Sequence, residues 1–202
     1  MKSTTVFLFL ILAISSNIVF GQMPDSIGSI LSQITQVPST DPLIIQDDFV
    51  SNGFRKFEGK RKITAIILHS AYCLNYMDTF NLECILHEFK TYGVSAHYII
   101  DRQGNIHRLV KENDVSFHAG KGTLPDGNTA PNSSSIGIEM VNSKTSKFSY
   151  LQYLAAIRLV KDIQKRHLIK YVLGHHDIAP SRKTDPWNFD WNFFRTMLKV
   201  YK

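Results

Sequence analysis

GHHDIAPSRKTDPW, Gly174 to Trp187, gathers two His, two Asp, a Lys and an Arg directly behind the short apolar run Tyr171-Val172-Leu173. Gly174 ends that run, and Pro180 and Pro186 forbid a helix through the stretch that follows, so the polar groups sit on a constrained loop at a strand end. Such a loop can turn an imidazole, a carboxylate and an ammonium toward one point, the requirement of a zinc site with an open coordination position. By itself a His and an Asp ten residues apart fit a solvated loop equally well.

Working outward, Ile63 to Leu68 (ITAIIL) is almost continuously apolar and β-branched, the pattern of a central strand buried on both faces, and it runs into His69. Ser135 to Asn142 (SIGIEMVN) alternates, with Ile136, Ile138 and Met140 on one side and Gly137, Glu139 and Val141 on the other. Glu139 is the odd member: either a solvent-facing residue of an edge strand, or a carboxylate projecting beside the zinc, with Gly137 leaving space next to the metal. Val94 to Val110 predicts two strands joined at Asp101 to Asn105. Helical spacing is predicted for Pro24 to Val37, for Asp78 to Tyr92 (Asp78 as N-cap, Gly93 as stop), for Ser149 to His167, and for Trp187 to Tyr201. Ser39 to Lys62 is expected to be an irregular arm. Val115 to Ser134, rich in Gly, Pro, Asn, Ser and Thr, is expected to be a long loop in which His118 either lines a groove or forms a turn.

The chain begins MKSTTVFLFLILAISSNIVFG, with Lys2 as its one charge, and Ser15-Ser16-Asn17 interrupt the apolar run short of the ~20 residues that span a bilayer. Residues 1–21 are therefore expected to be a signal peptide, 22–62 an N-terminal helix and arm, and 63–202 the functional domain, secreted or periplasmic and monomeric. The formal charge is +6. Such a balance suits a polyanionic partner such as cell wall. Nucleic acid is disfavoured, because the Lys and Arg residues are scattered and form no basic arm or helix. Cys73 and Cys84, the two cysteines, either pair in an oxidising compartment or remain two partly buried thiols. Asn132-Ser133-Ser134 matches a glycosylation acceptor.

His69, His175 and Asp185 together offer two imidazoles and one carboxylate, leaving a fourth position for water, the set of a catalytic rather than a structural zinc. Glu139 suits the base that takes the water's proton, and Lys183 an ammonium placed on the oxyanion of a tetrahedral intermediate.

ILHS, VSAHYIIDRQGNI, FHAG, SIGIEMVN and GHHDIAPSRKTDP occur in the order and approximate spacing of one enzyme family. From about Ile63 to Phe194 the chain resembles the zinc-dependent N-acetylmuramoyl-L-alanine amidases of the AmpD/AmiD type, relatives of phage amidase lysozymes and animal peptidoglycan recognition proteins. The resemblance implies an α/β domain with a central mixed β-sheet flanked by helices. It places the Zn2+ ligands on His69, His175 and Asp185, the acid/base on Glu139 and the catalytic lysine on Lys183. It further suggests contacts to peptidoglycan or muropeptides from His118, Asn142 and Arg182. Ala96 and Asp185 stand where phage lysozymes carry a Tyr and a Cys, Trp187 replaces the usual Gly, and His176 replaces a small residue. Three roles share these motifs: an amidase that cuts the bond from muramic acid to L-alanine, a recognition protein that only holds muropeptides, and an effector acting on another organism's wall.

Overall fold

The computed structural model describes residues 42–74 and 77–201. The expected signal peptide and the helix predicted over Pro24 to Val37 lie outside the described residues.

Among the described residues, eight strands and five helices follow in chain order: β1 (Gln46–Asp47), β2 (Phe54–Arg55), β3 (Ala65–Ala71), α1 (Leu82–Tyr92), β4 (Tyr98–Ile100), β5 (Ile106–Arg108), β6 (Val115–Ser116), α2 (Pro131–Ser134), β7 (Ser135–Val141), α3 (Tyr150–Arg166), β8 (Tyr171–Gly174), α4 (His175–Ile178) and α5 (Trp191–Val200). Six of the strands form one mixed sheet in the order β1-β5-β4-β7-β3-β8, in which only the β4–β5 hairpin pairs antiparallel. β2 and β6 make a separate two-stranded ribbon.

β3 is central, as its unbroken apolar run implies: Ala65, Ile66, Ile67 and Leu68 are wholly buried. Each large aliphatic removed from water there contributes roughly 1.5–3 kcal/mol. On one face Ala71, Ile99 and Val141 meet Ile85 of α1 and the partly buried Leu82, Leu86 and Phe89. α3 packs against β4 and α5. The prediction of a mixed sheet flanked by helices therefore holds.

Local chemistry moved several boundaries. Asp78 does not cap α1, because its Oδ1 accepts from the Phe80 N–H in a tight turn; Asn81 caps instead, accepting from Cys84 N–H at 2.8 Å. Gly93 ends α1 in the left-handed conformation (φ 64°), where a Cβ is unfavourable. The final helix begins at Trp191, capped by Asp190, because Asn188 adopts φ 58° after Pro186 and keeps Trp187 out of the helix. α3 starts at a complete capping box, Ser149 with Gln152, worth about 1 kcal/mol. The expected irregular arm is in part ordered into β1 and β2, and the long loop contains β6 and α2.

Cys73 and Cys84 are joined by a disulfide that ties the segment after β3 to α1. A loop this short contributes about 3 kcal/mol in the chain-entropy account. Among the described residues no helix is long and apolar enough to cross a membrane.

Candidate functional site

β3, β7 and β8 run parallel, and their carboxyl ends meet at one edge of the sheet. Ligands commonly bind outside such ends. His69 lies on β3 directly opposite Glu139 of β7, so the two side chains leave the sheet on the same face. Gly174 closes β8, and His175 follows at once in the single helical turn α4. This turn was not expected within the loop; Pro180 stops it without preventing it. Asp177 Oδ2 accepts from the Gly174 N–H at 2.8 Å and fixes the bend.

The loop then folds back. His176 N–H donates to the Asp185 carbonyl at 2.9 Å, and His176 Nδ1 lies 3.1 Å from the same oxygen. His176 therefore holds the backbone of Asp185, and its Nε2 faces Asp177. Asp185 is thereby brought against the two imidazoles. His69 Nδ1 lies 3.0 Å from His175 Nδ1, and Asp185 Oδ2 lies 3.2 Å from His175 Nδ1 and 3.5 Å from His69 Nδ1. All three residues are buried. A tetrahedral ion with bonds of ~2.0 Å separates its ligand atoms by ~3.3 Å, so this donor set has the spacing and chemistry that Zn2+ requires.

Electrostatics match the geometry. Burial pushes His69 down to about 4, so its ring is neutral at physiological pH, as a ligand must be. Burial alone would raise Asp185, but hydrogen bonding from His175 and His69 holds it well below the usual carboxylate range. Glu139 behaves in the opposite way. Burial, and then the charge of Asp185, push it up to about 8, and its Oε2 has no hydrogen-bond partner. Glu139 therefore belongs to a central strand and is not the solvent-facing residue of an edge strand.

A cleft of about 380 Å³ opens over these groups. Glu139, Lys183 and the three metal-ligand candidates line it, with Trp187, Lys144 and Phe117 at its walls. Trp187 is fixed by its Nε1 donating to Thr184 Oγ1 at 2.9 Å, with Tyr72 against its ring edge and Lys144 over its face.

The three residues suggested as substrate contacts are placed differently from one another. His118 lines the cleft, yet its two ring nitrogens face His69 and Ser135. Arg182 also lines it, but its guanidinium donates to the carbonyls of Ala119 and Lys121. Asn142 is fully buried; its Oδ1 accepts from Arg102 and its Nδ2 donates to Ser146 O and Trp187 O. The structure thus makes Asn142 a brace for the Trp187 loop and does not bring it to the cleft. Asn132 Oδ1 accepts from the Ala119 N–H, so that amide helps to anchor the His118 segment.

Sequence reasoning missed Arg61 and His97. The Arg61 guanidinium donates to the carbonyls of Asn132 and Glu112 and lies 3.0 Å from His97 Nε2. His97 Nδ1 accepts from the Gly137 N–H at 3.0 Å. The hairpin over Val94 to Val110 was expected, but nothing in the sequence announced that β7 would be the neighbour of His97.

Residues 59–188 match the family described as N-acetylmuramoyl-L-alanine amidase, Amidase_2. Over 110 residues the chain is 37% identical to the 1,6-anhydro-N-acetylmuramyl-L-alanine amidase AmpD of Haemophilus influenzae, covering 52% of this chain and 59% of that protein. It is 37% identical over 111 residues to the N-acetylmuramoyl-L-alanine amidase AmiD of Escherichia coli, covering 46% and 40%. The match therefore spans less than two thirds of these curated relatives. A crystal structure of AmpD superposes with a TM-score of 0.64 at 25% identity, covering 76% of this chain and 94% of that one. E. coli AmiD in complex with the substrate anhydro-N-acetylmuramic acid-L-Ala-D-gamma-Glu-L-Lys gives 0.60 at 28% identity, covering 71% and 65%.

Proposed function

The chain belongs to the N-acetylmuramoyl-L-alanine amidase family, and from that premise we propose that it is a zinc-dependent hydrolase of the amide between N-acetylmuramic acid and L-alanine in peptidoglycan or its muropeptides. One observation supports this above the others: two Nδ1 atoms and one carboxylate oxygen converge beside an unpaired carboxylate in the same cleft.

His69, His175 and Asp185 would hold the ion, which would supply a polarised carbonyl and a water acidic enough to attack at neutral pH. The positive charge of the bound ion would hold Glu139 as the carboxylate, ready to accept the proton of the attacking water and pass it to the leaving L-alanine nitrogen. Its unpaired Oε2 is free for that exchange. Lys183, on the loop between the two loop ligands, supplies positive charge for the oxyanion that develops on the scissile carbonyl. Its charge already reaches the site, since it opposes the upward shift of Glu139. The relatives support this substrate class, since one of them is described in complex with an anhydromuramoyl tripeptide. Export to a compartment holding cell wall fits the sequence reading of residues 1–21, which lie outside the described residues.

Incubation of the zinc-loaded protein with sacculi, and separately with anhydro-muropeptides, tests the reading through the masses of the released peptides. Free stem peptides beginning with L-alanine are expected, and Asp185→Ala is expected to lose both the metal and the products. Tight muropeptide binding without product would establish a recognition protein instead.

A further inference from the structure

His118 lies at the centre of a chain of hydrogen bonds whose directions can be assigned from one end. Ser135 Oγ is 2.6 Å from the Pro131 carbonyl, which can only accept, so the hydroxyl proton points there. Ser135 Oγ is then an acceptor toward His118 Nε2 at 3.3 Å, which places the His118 proton on Nε2. His118 Nδ1, left with a lone pair, accepts from His69 Nε2 at 3.0 Å. His69 therefore carries its proton on Nε2, and its Nδ1 lone pair faces His175 and Asp185. A neutral imidazole has one proton, and its position decides which nitrogen can bind a metal.

Gly137 makes room for this arrangement. A Cβ at that position would stand 2.3 Å from the His118 ring, so the ring occupies the space a side chain would need.

We propose that His118, oriented by Ser135 and seated over Gly137, is a positioning residue that locks His69 in the Nε2–H tautomer and so presents its Nδ1 to the metal. The inference rests on the metal-site reading above and replaces the role of substrate contact for His118. Partners of this kind typically change metal affinity by about 10–100-fold when removed.

Two measurements on the full chain test it. Long-range 1H–15N spectra of the metal-free protein report each imidazole tautomer, and competition with a chelating indicator reports zinc affinity. In the wild type, His69 and His118 are expected in the Nε2–H form. His118→Leu is expected to release His69 into a mixture of tautomers and to weaken zinc binding by about 10–100-fold. His118→Gln, which keeps an acceptor and a donor, is expected to recover most of that affinity, which a merely space-filling role does not predict. Should the Leu variant fail to fold, the smaller change Ser135→Ala tests the same chain, with His69 again losing its single tautomer. A wild-type His69 protonated on Nδ1, or unaltered tautomer and zinc affinity in a folded variant, overturns the proposal. A wild type that takes up no zinc sinks the metal-site reading instead, and the tautomer spectra still decide the hydrogen-bond chain.

Discussion

Glu112 and Glu139 are two largely buried carboxylates of the same chain, and their surroundings make them opposites. Glu112 accepts from Tyr98 Oη at 2.8 Å, from Arg166 at 2.7 Å and 3.2 Å, and pairs with His167 at 2.7 Å. Burial would raise it, but the bonds from Arg166, His167 and Tyr98 hold it at about 2. Glu139 has an oxygen with no partner and sits at about 8. Saturated hydrogen bonding turns a buried carboxylate into a fastener; withholding those bonds leaves one able to gain and lose a proton. Only the second lies in the cleft.

The largest effect is expected from Glu139→Gln, which should retain zinc and lose about 10²- to 10⁴-fold in kcat on muropeptides. Wild-type turnover in that variant would break the contrast at its reactive end. Lys183→Ala should follow, with about 10²- to 10³-fold lost from kcat; a change confined to KM would mark it as a substrate-positioning group.

Stability should show the reverse pattern of pH. Glu139 is raised, so its contribution to the metal-free fold is complete below its ordinary 4.5 and is lost as pH rises through about 8. In denaturant titrations without metal, Glu139→Gln should therefore gain on the wild type between these values, by on the order of 2–4 kcal/mol. Glu112 is depressed, so its contribution is complete above 4.5 and is lost as pH falls through about 2. Glu112→Gln should destabilise the protein at neutral pH by about 2–3 kcal/mol, the half-exposed Arg166 limiting the loss, while leaving kcat unchanged. Parallel pH profiles for the two variants would remove the distinction.

Much of this arrangement was legible in the sequence because it follows from short-range pattern. ITAIIL has the composition of a strand buried on both sides, SIGIEMVN alternates, and the segment opening at Ser149 carries a cap and an apolar stripe. The three metal-ligand candidates that the fold brings together were also legible, since His175 and Asp185 share one loop and His69 ends an apolar run. What escaped depends on neighbours distant in the chain. The register that sets Glu139 opposite His69 exists only once β3 and β7 pair. Asn142 looked like a polar residue at a strand end, and only the folded loop shows its amide engaged by Arg102, Ser146 and Trp187. Gly137 was expected to leave space beside the metal; it leaves space for His118.

β1 extends these considerations to the far side of the sheet. Gln46 and Asp47 pair with β5, Asp47 accepts from Arg108 at 2.7 Å and 2.8 Å, and Asp48 contacts His107 at 2.6 Å. A chain shortened to begin at Ile63, the boundary expected from sequence, would strip away that cover and remove Arg61 with it. The backbone of β5 would then offer unpaired N–H and carbonyl groups to a second molecule, the usual start of edge-to-edge association. For this protein the minimal soluble fragment therefore has to reach back past Gln46, well ahead of the first residue that touches the site.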